Sequence, residues 1–236
     1  MALPMNAQVD PRDVHAQARF NMIEQQVRPW NVLDESVLEL MGQIHREDFV
    51  PPEYQSMAYM DLEIPLKGTA EEAAKQGWHM LAPKIEARML QDVQLKPSDR
   101  VLEIGSGSGY MAALLAAQAK EVVTMEIDPE LAEMARENLL SAGIKNVEVK
   151  LANGATASLA QGTFDVIVLS GSVAEIPEAL YAQLNEGGRI AAIVGHMPVM
   201  RFTLVTRNGD NFEVKKPWDI AATRLVGFEE PSRFSF

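Results

Sequence analysis

The chain has 236 residues, 47% of them hydrophobic and 23% charged, enough apolar material for a sizeable core in one large domain or a core with a smaller appendage. Its formal net charge of −12, without a useful Lys/Arg cluster, argues against a nucleic-acid partner held through its phosphates. The absence of cysteine excludes disulfides, thiolate metal sites and cysteine nucleophiles, and neither an export signal nor an apolar run near the ~20 residues of a membrane span is apparent, so a cytoplasmic protein with no membrane partner is expected.

Residues 12–28 read as a helix, with Val14, Ala18, Met22 and Ile23 on one face and Pro29 closing the run. Asp34 suits the N-cap of a second helix, "ESVLELMGQI". A turn-rich stretch follows, "VPPEYQSMAYMDLEIPLKG", then the polar "TAEEAAKQ" and "GWHMLAP". Pro83 opens a further helix through Leu95, with Ile85, Met89 and Val93 spaced four apart.

From Arg100 the pattern changes to alternating strands and helices. "RVLEI" is a short buried strand, residues 110–119 a helix, and "EVVTMEI" a strand. The next helix carries Asp128 as cap, Pro129 at its first position and Gly143 at its end. "VEVKL", "FDVIVL" and "RIAAIVG" continue as strands, with a helix at 177–184 between the last two. This alternation points to a parallel, doubly wound sheet. The tail differs: two strands around Asn208-Gly209 form a hairpin, and "DIAATRLVGFE" reads as a final strand.

The stretch "VLEIGSGSGY" joins a strand to a helix through Gly105, Gly107 and Gly109. A strand, a glycine-rich turn and a helix N-terminus let backbone approach a ligand closely. The dinucleotide fingerprint needs its third glycine three positions after the second, but Tyr110 stands there, so the NAD spacing fails. Glu103, inside the strand, would repel a diphosphate but suits a ligand with an ammonium and a sulfonium. Glu126 ends the next strand, where an acid can accept from both ribose hydroxyls. Asn153, after the third strand, has an amide suited to an adenine edge. Together these fit S-adenosylmethionine as cofactor; Ser106 in the loop, Ile127 beside Glu126 and Gly154 beside Asn153 complete the expected contacts. Each residue also has a structural reading, since the glycines could serve only a tight turn, Glu126 could be a solvated strand end, and Asn153-Gly154 is ordinary turn chemistry.

The glycine stretch, with "MIEQQVRPWNVLDESVLELMGQIHREDFVPPEYQSMAYMD", "LNEGGRIAAIVG" and "ATRLVGFE", resembles the protein-L-isoaspartate O-methyltransferase family of class I methyltransferases from about Phe20 onward. The resemblance implies a Rossmann-like, doubly wound, seven-stranded α/β sheet with an N-terminal helical extension. On that division residues 1–95 form a helical cap with the acceptor-site segment, and 96–236 the S-adenosylmethionine-binding core, as one compact unit. It further implies methylation of the free carboxylate of isoaspartyl residues in damaged proteins or peptides, a repair reaction.

One motif departs from the family. Where the family usually reads Gln-Thr-Ile-Ser, with hydroxyls that help to hold cofactor and acceptor, alignment on Pro83 gives Trp78, His79, Met80 and Leu81. The family's acid after the third strand is Asn153 here. Trp78 and His79 are therefore the candidate acceptor-site residues, with His79 as donor to an acceptor oxygen; packing of Trp78 and Met80 on the sheet, with His79 partly exposed, is the structural alternative. Another carboxylate or a small molecule as acceptor, and a non-catalytic cofactor-binding module, are the competing functions. A nicotinamide oxidoreductase is disfavoured by the glycine spacing, and no metal is expected, because His15, His45, His79 and His196 lack ligand spacing.

Overall fold

The computed structural model describes residues 14–156 and 162–228. Helix α1, Val14–Met22, runs on through a π-helical turn, Ile23–Val27, and a tighter 3-10 turn, Arg28–Trp30. Pro29 thus lies inside the last turn, early enough that its missing N–H costs no essential bond, and the run ends at Asn31, with φ 62°. Residues 12 and 13 of the predicted helix lie outside the described residues. Asp34 caps α2, Glu35–Gln43, by accepting from the backbone N–H of Ser36.

The segment read as a polar insertion is a helix, α3, Ala70–Gln76. Thr69 and Glu72 form a reciprocal capping box at its start, and Gly77, in the left-handed region with φ 75°, ends it. It joins two short strands, β1, Ile64–Pro65, and β2, His79–Met80, which pair antiparallel. Helix α4, Pro83–Val93, stops short of the expected Leu95 because Gln94 turns left-handed at φ 50°.

The main sheet is built from β3, Arg100–Ile104, β4, Glu121–Glu126, β5, Val147–Leu151, β6, Phe164–Val173, β7, Leu184–His196, β8, Val199–Asn208, and β9, Asn211–Asp219. Helices α5, Tyr110–Gln118, α6, Pro129–Ser141, and α7, Glu178–Ala182, connect its parallel part. The strand order is β5-β4-β3-β6-β7-β8-β9. Strands β3 to β7 run parallel, and β8 and β9 reverse direction around Gly209 as the Asn208-Gly209 signal predicts. The winding changes sense between β3 and β6, which opens a crevice at their carboxyl ends.

The expected final strand does not form. Residues 220–228 cross the carboxyl end of the sheet, joined to it by a single bridge between Ser172 and Arg224. Their backbone is engaged elsewhere: Glu63 accepts from both the N–H and the hydroxyl of Thr223, so no ladder can extend.

The sheet buries both faces. One cluster runs from Met22 and Val37 in the N-terminal helices through Met89 and Leu114 to Ile193 and Phe202. The other packs Leu102, Ile104, Ile167, Leu180 and Val205 on the opposite face. Each such side chain contributes about 1.5–3 kcal/mol of burial, and that holds the strand ends, and the crevice, in register. No helix of the described residues is long and apolar enough to cross a membrane.

Candidate functional site

At the carboxyl ends of β3, β4 and β6 lies a cavity of about 270 Å³. Its floor is the glycine loop. Gly105, with φ 95°, turns the chain out of β3, and a Cβ there would stand 2.7 Å from Leu225 Cδ2. Gly107 also faces the cavity, while Gly109 sits behind it as the N-cap residue of α5. Ser106 is buried, its hydroxyl 2.6 Å from Thr124 Oγ1, and serves the loop rather than the cavity.

Glu103 is fully buried under this loop. Its Oε2 accepts from Thr124 Oγ1 at 2.6 Å and its Oε1 from Ser170 Oγ at 2.6 Å. No Lys, Arg or His of the described residues pairs with it. Burial pushes its pKa up to about 8, against the two hydroxyl donors. It faces not the main cavity but a recess of about 20 Å³ beneath the loop, shared with Glu86 and His79.

Glu126 lines the main cavity at the end of β4. Its Oε2 accepts from the N–H of Gly107 at 2.9 Å, and its Oε1 from those of Ile127 at 2.9 Å and Asp128 at 3.1 Å. Burial raises its pKa, opposed by these backbone donors. Ile127, 38% exposed, lies against the cavity. Gly154 also lines it and admits no side chain, because a Cβ would meet Ile104 Cγ2 at 2.3 Å. Asn153 does not line it: its Oδ1 accepts from the N–H of Ala155 at 3.0 Å, and its side chain packs beside Gly227.

Trp78 and His79 both line the cavity, His79 on β2 and Trp78 just before it. Trp78 is half-buried, its ring covered by Lys67, whose Nζ lies 4.2 Å from the ring centre and bonds both carboxylate oxygens of Asp128, at 2.8 and 2.7 Å. Met80 and Leu81, by contrast, are buried in the main core cluster. His79 Nδ1 is buried without a partner, and burial lowers the pKa of the ring.

Three lining residues, Leu225, Val226 and Phe228, come from the crossing segment and carry no local sequence signal of a site. Ser170 was legible in principle, since it stands at a strand's carboxyl end, the place from which open sheets take ligand contacts. Lys67 shows its role only once β1 and α6 meet.

The arrangement fits S-adenosylmethionine. Glu126 and Asp128 are acidic, and no Lys or Arg lines the cavity among the described residues, so its charge suits a cationic ligand better than a diphosphate. The buried carboxylate of Glu103 lacks the cation that an amino group would bring.

The glycine loop at the switch point of a seven-stranded sheet, with an acid closing the adjacent strand, defines a class I methyltransferase. A profile of the protein-L-isoaspartate (D-aspartate) O-methyltransferase family (PCMT) matches residues 17–228. The chain is 38% identical over 211 residues to the protein-L-isoaspartate O-methyltransferase of Koribacter versatilis, covering 89% of this chain and 90% of that one. To the protein of the same name from Methanoculleus marisnigri it is 40% identical over 177 residues, covering 75% and 77%. A solved Plasmodium falciparum structure, described as a beta-aspartate methyltransferase in complex with S-adenosyl-L-homocysteine, shares the fold with a TM-score of 0.72 at 19% identity, covering 89% of this chain and 98% of that one. The chain belongs to the protein-L-isoaspartate (D-aspartate) O-methyltransferase family.

Proposed function

We propose that the chain transfers a methyl group from S-adenosylmethionine to the free carboxylate of isoaspartyl residues in proteins or peptides. The cofactor supplies an electrophilic methyl on a sulfonium. The protein's part is to hold, orient and desolvate. Glu126, already fixed by three backbone N–H groups, accepts from the ribose hydroxyls. Glu103 attracts the amino group from beneath the loop, while Gly105 and Gly107 let the methionine end lie on bare backbone. Ile127, Ala152, Gly154 and Phe228 offer an apolar slot for the adenine.

The acceptor carboxylate is ionised near neutral pH, so no side chain need remove a proton. An oxygen lone pair forms the new bond to the methyl carbon while the sulfur keeps the electrons of the bond that breaks, and opposite charges cancel as the neutral ester forms. A cavity shielded from water strengthens that cancellation.

The observation that carries this reading is the acidic cavity at the sheet's switch point, lined by no Lys or Arg among the described residues, in a chain whose family profile spans residues 17–228. Tritiated methyl transfer to an isoaspartyl peptide tests it, with S-adenosylhomocysteine calorimetry alongside. Binding without transfer to that peptide would select a different carboxylate acceptor, the second reading, which His79 and Leu81 favour by standing where the family usually carries hydroxyls.

A further inference from the structure

An acceptor carboxylate brought to this cavity meets acidic walls, so the protein must supply a donor that is not already engaged. The candidates are few among the described residues lining it. The hydroxyl of Ser170 is committed to Glu103. Lys67 covers the ring face of Trp78 and is itself held by Asp128 and Glu130; the indole N–H of Trp78 carries no partner among the described residues either, but it is not among the buried, unpartnered groups. Gln76 stands exposed at the rim, at the end of α3. The carboxylate of Glu126 can only accept.

His79 differs from all of these. Its Nδ1 is buried without a partner, an arrangement that destabilises an empty site and is relieved by a ligand oxygen. Its backbone is fixed in the β1–β2 pairing opposite Pro65 and by a bond from its N–H to Gly77 O at 3.0 Å, so the ring cannot drift far. It lines both the main cavity and the recess that holds Glu103. That junction lies between the loop that would take the methionine end and the acid that would take the ribose, where the reacting methyl must sit. The charged groups that line these spaces are acids, Glu86 and Glu103 in the recess and Glu126 and Asp128 in the cavity, with Glu63 before β1; of these Glu86 is paired with Arg46 and Asp128 with Lys67.

Building on the proposed carboxyl methyl transfer, we infer that His79 is the specificity-determining donor of the acceptor site, its Nδ1–H bonding the acceptor carboxylate oxygen that does not take the methyl. The imidazole does there, with one directed donor, what neither Met80 nor Leu81 can do from within the core. The inference concerns positioning of the acceptor; no proton is transferred.

The test uses the full chain, an isoaspartyl peptide and the variants His79→Phe and His79→Asn. Loss of a hydrogen bond to a charged group predicts a peptide KM about ten- to a hundredfold higher for His79→Phe, with a smaller change in kcat. His79→Asn, whose Nδ2–H stands at the reach of the ring's Nδ1–H, recovers most of that KM. Calorimetry of the same peptide with protein preloaded with S-adenosylhomocysteine should lose its heat in His79→Phe, while S-adenosylhomocysteine itself still binds. Nitrogen NMR of the wild-type ring should show the Nδ1 resonance shift when peptide is added, a readout that requires no variant to fold. A wild-type KM in His79→Phe, equal impairment of the Phe and Asn variants, or an unmoved Nδ1 resonance during productive methylation overturns the inference and leaves the methyltransferase reading intact. A wild-type protein that binds S-adenosylhomocysteine but never methylates the peptide overturns the substrate reading, and His79's role with it.

Discussion

The backbone N–H of Gly107 donates to Oε2 of Glu126 at 2.9 Å, tying the loop after β3 to the end of β4. The other oxygen of the same carboxylate holds Ile127 and Asp128, so one side chain organises two stretches of cavity wall. Glu126→Ala should therefore weaken S-adenosylhomocysteine binding by more than about tenfold and, by leaving backbone donors unpaired, lower the melting temperature by a few degrees. Calorimetry and a thermal melt check this, and an unchanged affinity would remove Glu126 from the site.

Glu103 gives the stability a pH dependence of definite sign. Burial pushes its folded-state pKa up to about 8, above the ordinary carboxylate value of 4.5, so between these the native state retains a proton the unfolded chain has released. Its contribution to stability accordingly falls as pH rises through that window. Glu103→Gln, which mimics the protonated form, should melt with the wild type near pH 4.5 and above it near pH 8. The same substitution should weaken S-adenosylhomocysteine binding, because the amino group loses its counter-charge. A variant that melts below the wild type near pH 8 would contradict the burial argument.

Steric exclusion at Gly154 is independent of any ligand. A Cβ would lie 2.3 Å from Ile104 Cγ2, 3.1 Å from its Cγ1 and 3.2 Å from its Cβ. Gly154→Ala should cost about 1–3 kcal/mol by overpacking. Combined with Ile104→Ala it should cost less than the sum of the single changes, since the clash and the methyl groups vanish together. Denaturant melts of the four proteins give the cycle, and strict additivity would mean that the contact does not limit the site.

Lys67 fastens β1 to the start of α6. Its Nζ bonds Asp128 and Glu130 and covers Trp78 at 4.2 Å. Lys67→Met frees a wall residue and a capping residue of the same cavity, so S-adenosylhomocysteine affinity should fall by about threefold or more while the melting temperature moves only a few degrees. Equal loss in stability and no loss in affinity would make the contact purely structural.

Much of the core was legible because its signals are local. Asp128, Pro129 and Gly143 bracket α6 by their own backbone preferences, and Asn208-Gly209 dictates a tight hairpin wherever it lies. Helix α3 was also legible, since Thr69 and Glu72 are spaced as a capping box and Gly77 as a stop, although its polar run carries no apolar stripe. The crossing segment was not. "ATRLV" has the composition of a strand, and only Glu63, 160 residues away from Thr223, diverts its backbone. Asn153 shows the same limit at the site: its amide suited a ligand by type, but a turn to Ala155 takes its oxygen. Leu225, Val226 and Phe228 reach the cavity through the tertiary path alone.

That path has a consequence for how the protein comes into being. The sheet ends with Asp219, but one wall of the cavity is laid down afterwards, by residues 225–228. A polypeptide interrupted between those points would possess every strand of the sheet and only an open trough where the nucleoside belongs. On the proposed site, competence to bind arrives later in synthesis than the architecture does, once the last turn across the sheet is in place.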